Sequence, residues 1–113
     1  MLNTIATYLK KLGEVPMDKF PSEYYTPRIS RTYAFGVYNY PSGILTHLLF
    51  LVIFALLGVK WMALFNIFSV LLWSIAYYAH IQGYFLQGYL IATIEVITHA
   101  GLSVFFVGWE AGF

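Results

Sequence analysis

Cysteine is absent from the 113 residues. That excludes disulfides, thiolate nucleophiles and cysteine-bound metals, and it leaves the redox compartment open. Charge is scarce too: six Lys or Arg and five Asp or Glu make up 10% of the chain, against about 25% in a soluble domain. A small water-soluble domain needs polar groups to cover a surface that is large for its volume, and this chain has too few. The net charge of +1 argues against recruitment of nucleic acid by bulk electrostatics. Disorder is excluded by the opposite excess. Sixty per cent of the residues are hydrophobic and 20% aromatic, at a mean hydropathy of +0.72, whereas disordered chains are poor in both. What remains is an integral membrane protein whose principal partner is the lipid bilayer.

The few charges are unevenly placed. Lys10, Lys11, Lys19, Arg28 and Arg31 lie in the first 40 residues with Glu14, Asp18 and Glu23, and only Lys60, Glu95 and Glu110 follow. The chain therefore divides into a polar N-terminal segment, 1–41, and a lipid-suited region, 42–113. At the start, Leu2, Ile5, Tyr8, Leu9 and Leu12 recur at helical spacing with Lys10 and Lys11 beside them, as in a short helix lying in the membrane interface. The same stripe also suits a helix packed on neighbouring protein. Asn3 is expected to cap its start and Gly13 to close it. A signal peptide is not expected, because the Lys pair follows the apolar residues and no long apolar run or cleavage site appears. Pro16, Pro21, Pro27 and Pro41 are expected to interrupt helices. Together with Tyr24, Tyr25, Tyr33, Tyr38 and Tyr40 they suggest a segment hugging the headgroup zone, with a short helix opening at Ser30 or Thr32.

Three apolar runs follow, at about 42–59, 61–78 and 84–107, each near the length needed to cross hydrocarbon. Helix is preferred over strand because backbone groups in lipid must be paired within the segment. The expected fold is all-α: a polytopic membrane bundle of three spanning helices plus the interfacial helix. Copies are expected to associate through these helices, and Gly101 and Gly108 share one face that permits close contact. Basic residues concentrate before the first span, which places the N-terminus in the cytoplasm of an inner (plasma) membrane, the turn at Lys60 outside and residues 79–83 inside.

An ionisable side chain deep in a span is a functional candidate. Glu95 lies near the middle of the third run, and His99, one turn later, shares its face. Two uses are open. The carboxylate can fix the His99 imidazole for a ligand or proton, or the two residues can cross-link helices through His47 or Asn66. The histidines also raise an axial haem site. His47 is expected near the inner face and His99 beyond the midplane, so no cofactor is predicted and haem stays an alternative. His80 ends the second run and is expected to be merely interfacial. No metal site is expected: Glu95-x-x-x-His99 lacks the Glu-x-x-His spacing of di-iron bundles, and carboxylates are few. Phosphate-binding loops, nucleophile elbows and His-Glu-x-x-His are missing, so no catalytic residue is assigned. Phe50, Phe54, Phe65, Phe68, Trp73, Phe105 and Phe106 are expected to pack or to face lipid.

Glu95-Val-Ile-Thr-His99 followed by Gly108-Trp109-Glu110-Ala-Gly112-Phe113 resembles the E-x-x-x-H and G-W-[DE]-x-G-F pattern in membrane regions of bacterial nucleotide cyclases. These include class III adenylate or guanylate cyclases and GGDEF diguanylate cyclases. The stretch containing Asn66, Ser69 and Val70 is similar to the preceding helix of that family. The resemblance covers roughly residues 60–113 and implies that further helices and a cytoplasmic cyclase domain follow in the parent protein. It implies a membrane-anchoring and sensory role for this chain, with Glu95, His99, His47, Trp109 and Glu110 as ligand-sensing candidates. Two alternatives have a different chemistry: a small haem- or quinone-binding anchor subunit, or a small proton-coupled transporter. The absence of cysteine makes the orientation directly measurable. In intact cells a membrane-impermeant maleimide is expected to label Glu110→Cys, and to label a cysteine at Gln82 only after permeabilisation; the reverse pattern would invert the topology.

Overall fold

A computed structural model describes residues 1–16 and 20–108. It contains α1 (Leu2–Leu12), one 3₁₀ turn (Ser22–Tyr24), α2 (Pro27–Leu56), α3 (Lys60–Ile81) and α4 (Phe85–Val107). The described residues form no strand. The helices α2, α3 and α4 are each long and apolar enough to cross a membrane, so the protein is an all-α membrane protein.

The first spanning helix is much longer than the apolar run within it. Thr26 opens α2, its side chain accepting from the Ile29 N–H at 3.2 Å, and Pro27 occupies the first turn. At that position a proline loses nothing, because its missing N–H would have no partner in the helix. Pro41 lies inside α2, so the expected boundary near residue 42 and the separate short helix from Ser30 or Thr32 are both corrected. Pro41 forgoes one backbone bond. The helix continues past it, and in the same stretch the hydroxyls of Ser42 and Thr46 bond back to the carbonyls of Tyr38 (2.7 Å) and Ser42 (2.8 Å). Thirty residues of helix span about 45 Å, more than the roughly 30 Å hydrocarbon core. The end bearing Arg28 and Arg31 therefore has length to reach beyond hydrocarbon.

Two hairpin turns join the spans. Gly58 (φ 77°) and Gly83 (φ 93°) take the left-handed conformation that stops each helix. Val59 N–H then returns to the Phe54 carbonyl and Tyr84 N–H to the Ala79 carbonyl, both at 2.9 Å, which satisfies end groups that hydrocarbon would leave unpaired. Lys60 thus begins α3 directly after the turn.

Partners run in opposite directions along α2 and α3. Tyr33 meets His80, Tyr40 meets Trp73 and His47 meets Asn66. Each step is seven residues on both helices, the repeat of antiparallel helices packed as in a coiled coil. The buried positions of α3 are Met62, Asn66, Ser69, Trp73, Ala76 and His80, and those of α4 are Gly88, Ala92, Glu95, His99 and Ser103. Apart from Met62 and the Trp73 ring the seam is small or polar, while Leu64, Leu71, Ile94 and Ile97 face outward. This inverts the soluble pattern, because lipid competes for apolar side chains but offers nothing to polar ones. Packing is extensive between α2 and α3 and between α3 and α4, so α3 is the central helix.

The helix α1 buries none of its residues, and its apolar stripe of Leu2, Ile5, Tyr8, Leu9 and Leu12 is exposed. Asn3 lies within the helix rather than capping it, its carbonyl accepting from the Thr7 hydroxyl at 2.8 Å. Gly13 closes α1 with an ordinary negative φ of −79°. The Tyr38 hydroxyl donates to the Leu9 carbonyl and ties α1 to α2. Phe20, Tyr33 and Val37 form a small cluster that holds the intervening segment against the same end of α2.

Close approach depends on glycine at three points on the seam. A Cβ on Gly43 would lie 2.3 Å from the Trp73 ring, one on Gly36 2.1 Å from the His80 ring, and one on Gly88 2.8 Å from the Ala76 carbonyl. Gly101 has open space around it, so the contact foreseen on its face is not made among the described residues. Gly43→Val is expected to destabilise the α2–α3 pair by about 1–3 kcal/mol through overpacking. Gly101→Ala should be neutral or stabilising by up to ~1 kcal/mol from helix propensity. Unfolding in mixed detergent micelles measures both; equal effects would remove the packing account.

Candidate functional site

Glu95 lies ten residues after the first residue of α4 and twelve before its last, and is fully buried. A carboxylate at that depth must be answered by donors, and α2 and α3 supply them. The Ser69 hydroxyl donates to Oε1 at 2.5 Å and Trp73 Nε1–H donates to Oε2 at 2.7 Å. His47 Nε2 lies 3.3 Å from Oε2. Ser69 and Trp73 are four apart on α3 and so point to the same side. Glu95 lies opposite them because α4 runs antiparallel to α3.

Asn66, one turn before Ser69 and also fully buried, organises the histidines. Its Nδ2–H donates to the Met62 carbonyl at 2.7 Å, which fixes the amide orientation. Oδ1 then faces two imidazoles, His47 Nδ1 at 3.1 Å and His99 Nε2 at 3.0 Å. An amide oxygen only accepts, so both of those ring nitrogens carry hydrogen. His99 Nδ1 is left as an acceptor, with the Ser103 hydroxyl 3.5 Å away. At the other end of His47, Nε2 and Glu95 Oε2 face each other across 3.3 Å and need one proton between them. Wherever that proton sits, the pair is neutral overall, which suits a low-dielectric setting that penalises net charge. Among the described residues, every buried side-chain nitrogen and oxygen has a partner.

The geometry shows which partners Glu95 and His99 have. The carboxylate does not hold the His99 ring; it pairs with His47, and His99 reaches Asn66, so the links run between helices. The depth argument is corrected as well. His47 lies nine residues before the end of α2 and His99 eight before the end of α4. These helices run the same way, so the two residues sit at matching depth, with ring centroids 5.0 Å apart. The mismatch arose from starting α2 at residue 42 instead of Pro27. Asn66 Oδ1 bonds one nitrogen of each ring, which leaves His47 Nε2 and His99 Nδ1 as the nitrogens that a haem iron would have to use. No metal-ligating set was foreseen from the spacing along α4, yet three candidate donors meet across the helices. His47, Glu95 and His99 each bring a donor atom to within 4.8 Å of the others, because the third donor comes from α2, where a motif search along α4 could not find it.

Aromatic rings enclose the cluster. Phe50 stacks on His99 at 5.8 Å and 28°, Phe65 lies 5.7 Å from the same ring, and Trp73 lies 5.7 Å from His47. One side stays open: a cleft of about 450 Å³ between α2 and α4 reaches His47, His99 and Ser103 past Gly43, Thr46 and Phe50. His80 belongs to a separate contact. It lies at the end of α3 and is buried there, stacked on Tyr33 at 5.6 Å and bonded to the Tyr33 carbonyl at 3.0 Å. Trp109 and Glu110 lie outside the described residues.

Ser69 and Trp73 were not singled out from sequence as carboxylate partners, although both match the seven-residue seam through Met62, Asn66, Ala76 and His80. Comparison with protein-family models, with curated proteins and with solved structures finds no match to this chain. Geometry therefore carries the functional reading.

Asn66 has the largest structural leverage in the cluster. Asn66→Leu removes the acceptor of two buried imidazole donors. An unsatisfied buried donor costs about 1–3 kcal/mol, and interhelical bonds in membranes average nearer 0.6 kcal/mol. A loss of about 1–3 kcal/mol in total is expected. Ser74→Ala removes only an exposed hydroxyl bonded to the Val70 carbonyl within its own helix and should cost under about 0.5 kcal/mol. Reversible unfolding in mixed micelles separates the two; parity would mean that the Asn66 bridge contributes nothing.

Proposed function

We propose that the chain is the membrane-anchoring and sensory region of a signalling protein of the nucleotide-cyclase type. In this reading it sits in a bacterial inner membrane with its N-terminus in the cytoplasm, and its copies associate through the spanning helices. The supporting observation is the placement of a fully hydrogen-bonded polar cluster at the wall of a cleft that opens sideways between two spanning helices. A molecule arriving through lipid reaches His47, His99 and Ser103 without crossing to water. Each of these residues already has a protein partner, so an occupant of the cleft must exchange bonds with the cluster. Because the cluster ties α2 and α4 to α3, exchanging bonds there shifts how the helices pack. A ligand that binds one packing better than the other shifts the population toward it, and that displacement is what a cytoplasmic domain can read. The resemblance of Glu95-x-x-x-His99 and Gly108-Trp109-Glu110-x-Gly112-Phe113 to cyclase membrane regions supports the same output.

The test joins these helices to a cyclase catalytic domain through the membrane segments of the parent protein and measures cyclic-nucleotide production. Glu95→Gln with His99→Leu is expected to change basal output about 5–150-fold, the range of typical coupling free energies, while membrane insertion persists. Leu64→Ala, on the lipid-facing side of α3, should leave output unchanged. Wild-type output from the double variant would remove the sensory reading.

A further inference from the structure

We propose that His47, Glu95 and His99 bind one divalent transition-metal ion of the zinc or ferrous class, reached through the cleft between α2 and α4. This goes beyond the sensory reading and does not depend on it, since the ion would be held whether or not an output domain responds.

The donor set is the first support. Two imidazoles and one carboxylate suit borderline first-row ions and disfavour magnesium and calcium, which take oxygen ligands. The three donor atoms lie within 4.8 Å of one another. Ligands of a tetrahedral zinc ion lie about 3.4 Å apart, as bond lengths near 2.0–2.1 Å require. Small side-chain rotations therefore close the site. The outer contacts are the second support. Ligating histidines and carboxylates are normally oriented by further hydrogen bonds, and those bonds are already in place. Asn66 holds the His47 and His99 rings, Ser69 and Trp73 hold the Glu95 carboxylate, and Ser103 adjoins His99. The third support is access. His47 and His99 both line the cleft, so an ion with three protein ligands keeps a position facing an open volume, the arrangement of ligand-accepting rather than purely structural sites.

Charge defines the class of the fourth ligand. A divalent ion with two neutral imidazoles and one carboxylate leaves a single positive charge in a low-dielectric site. An anionic oxygen ligand, hydroxide or a deprotonated oxygen of a cleft molecule, cancels it. Binding replaces the proton shared by His47 and Glu95 with the metal ion. The ion also joins α2 directly to α4, two helices otherwise held mainly through α3.

The experiment uses the full chain, purified in detergent without a polyhistidine tag, and titrates it with Co²⁺ as the visible probe. One Co²⁺ per chain is expected, with the intense ligand-field bands of a four- or five-coordinate nitrogen and oxygen site, and Zn²⁺ should displace it. Glu95→Gln and His99→Gln should each weaken Zn²⁺ binding at least 100-fold, and Asn66→Ala about 10–100-fold. His80→Gln, outside the cluster, should bind as wild type does. X-ray absorption at the zinc edge of the wild-type complex should show two imidazoles, a readout that stands even if a variant fails to fold. The proposal is overturned if wild-type chain takes up no Co²⁺ or Zn²⁺ above the detergent blank. It is equally overturned if Glu95→Gln and His99→Gln bind undiminished, or if the zinc edge shows no imidazole.

Discussion

A carboxylate placed in hydrocarbon must be met by hydrogen-bond donors, and those that meet Glu95 all come from other helices. Ser69 and Trp73 reach it from α3 and His47 from α2. None of these bonds can form until the helices are paired in register. A slip of one residue along α3 would turn Ser69 and Trp73 away together, because both lie on one stripe of the helix. The cluster thus sets register, as a single buried polar residue does in a coiled coil. It does so where the hydrophobic effect, absent between helices in lipid, cannot.

Small residues make the same register possible in steric terms. Gly43 admits the Trp73 ring, whose indole N–H bonds Glu95, and Gly36 admits the His80 ring, which bonds the Tyr33 carbonyl. Close approach and polar pairing are thus coupled, since Gly36 and Gly43 each leave room for a ring that carries a hydrogen bond. The apolar side chains that dominate the composition have little part in this. They cover the outside, where lipid accepts them without preference for one register over another.

Asymmetry in the packing follows from α3 being shared. Its seam must satisfy α2 on one side and α4 on the other, and Asn66 does both with one oxygen. The two flanking helices stay apart enough to leave the cleft, so His47 and His99 lie beside an open space.

The class of the protein, its three long apolar helices and the depth of Glu95 and His99 within one of them were legible from charge scarcity, run length and position in the run. Those are one-dimensional facts, fixed by local composition. The start of α2 was not legible, because Pro41 reads as a helix breaker in water, whereas α2 continues through it from Pro27 to Leu56. Nor were the roles of Ser69 and Trp73, since a serine and a tryptophan within an apolar run look like a spacer and an anchor. Sequence by itself determined that this chain belongs in a membrane and that Glu95 and His99 lie deep in its third apolar run. Only the tertiary structure decided that Glu95 is paired with His47 and His99 with Asn66, because partners on separate helices are chosen by antiparallel register and by depth, and neither is written in any one segment.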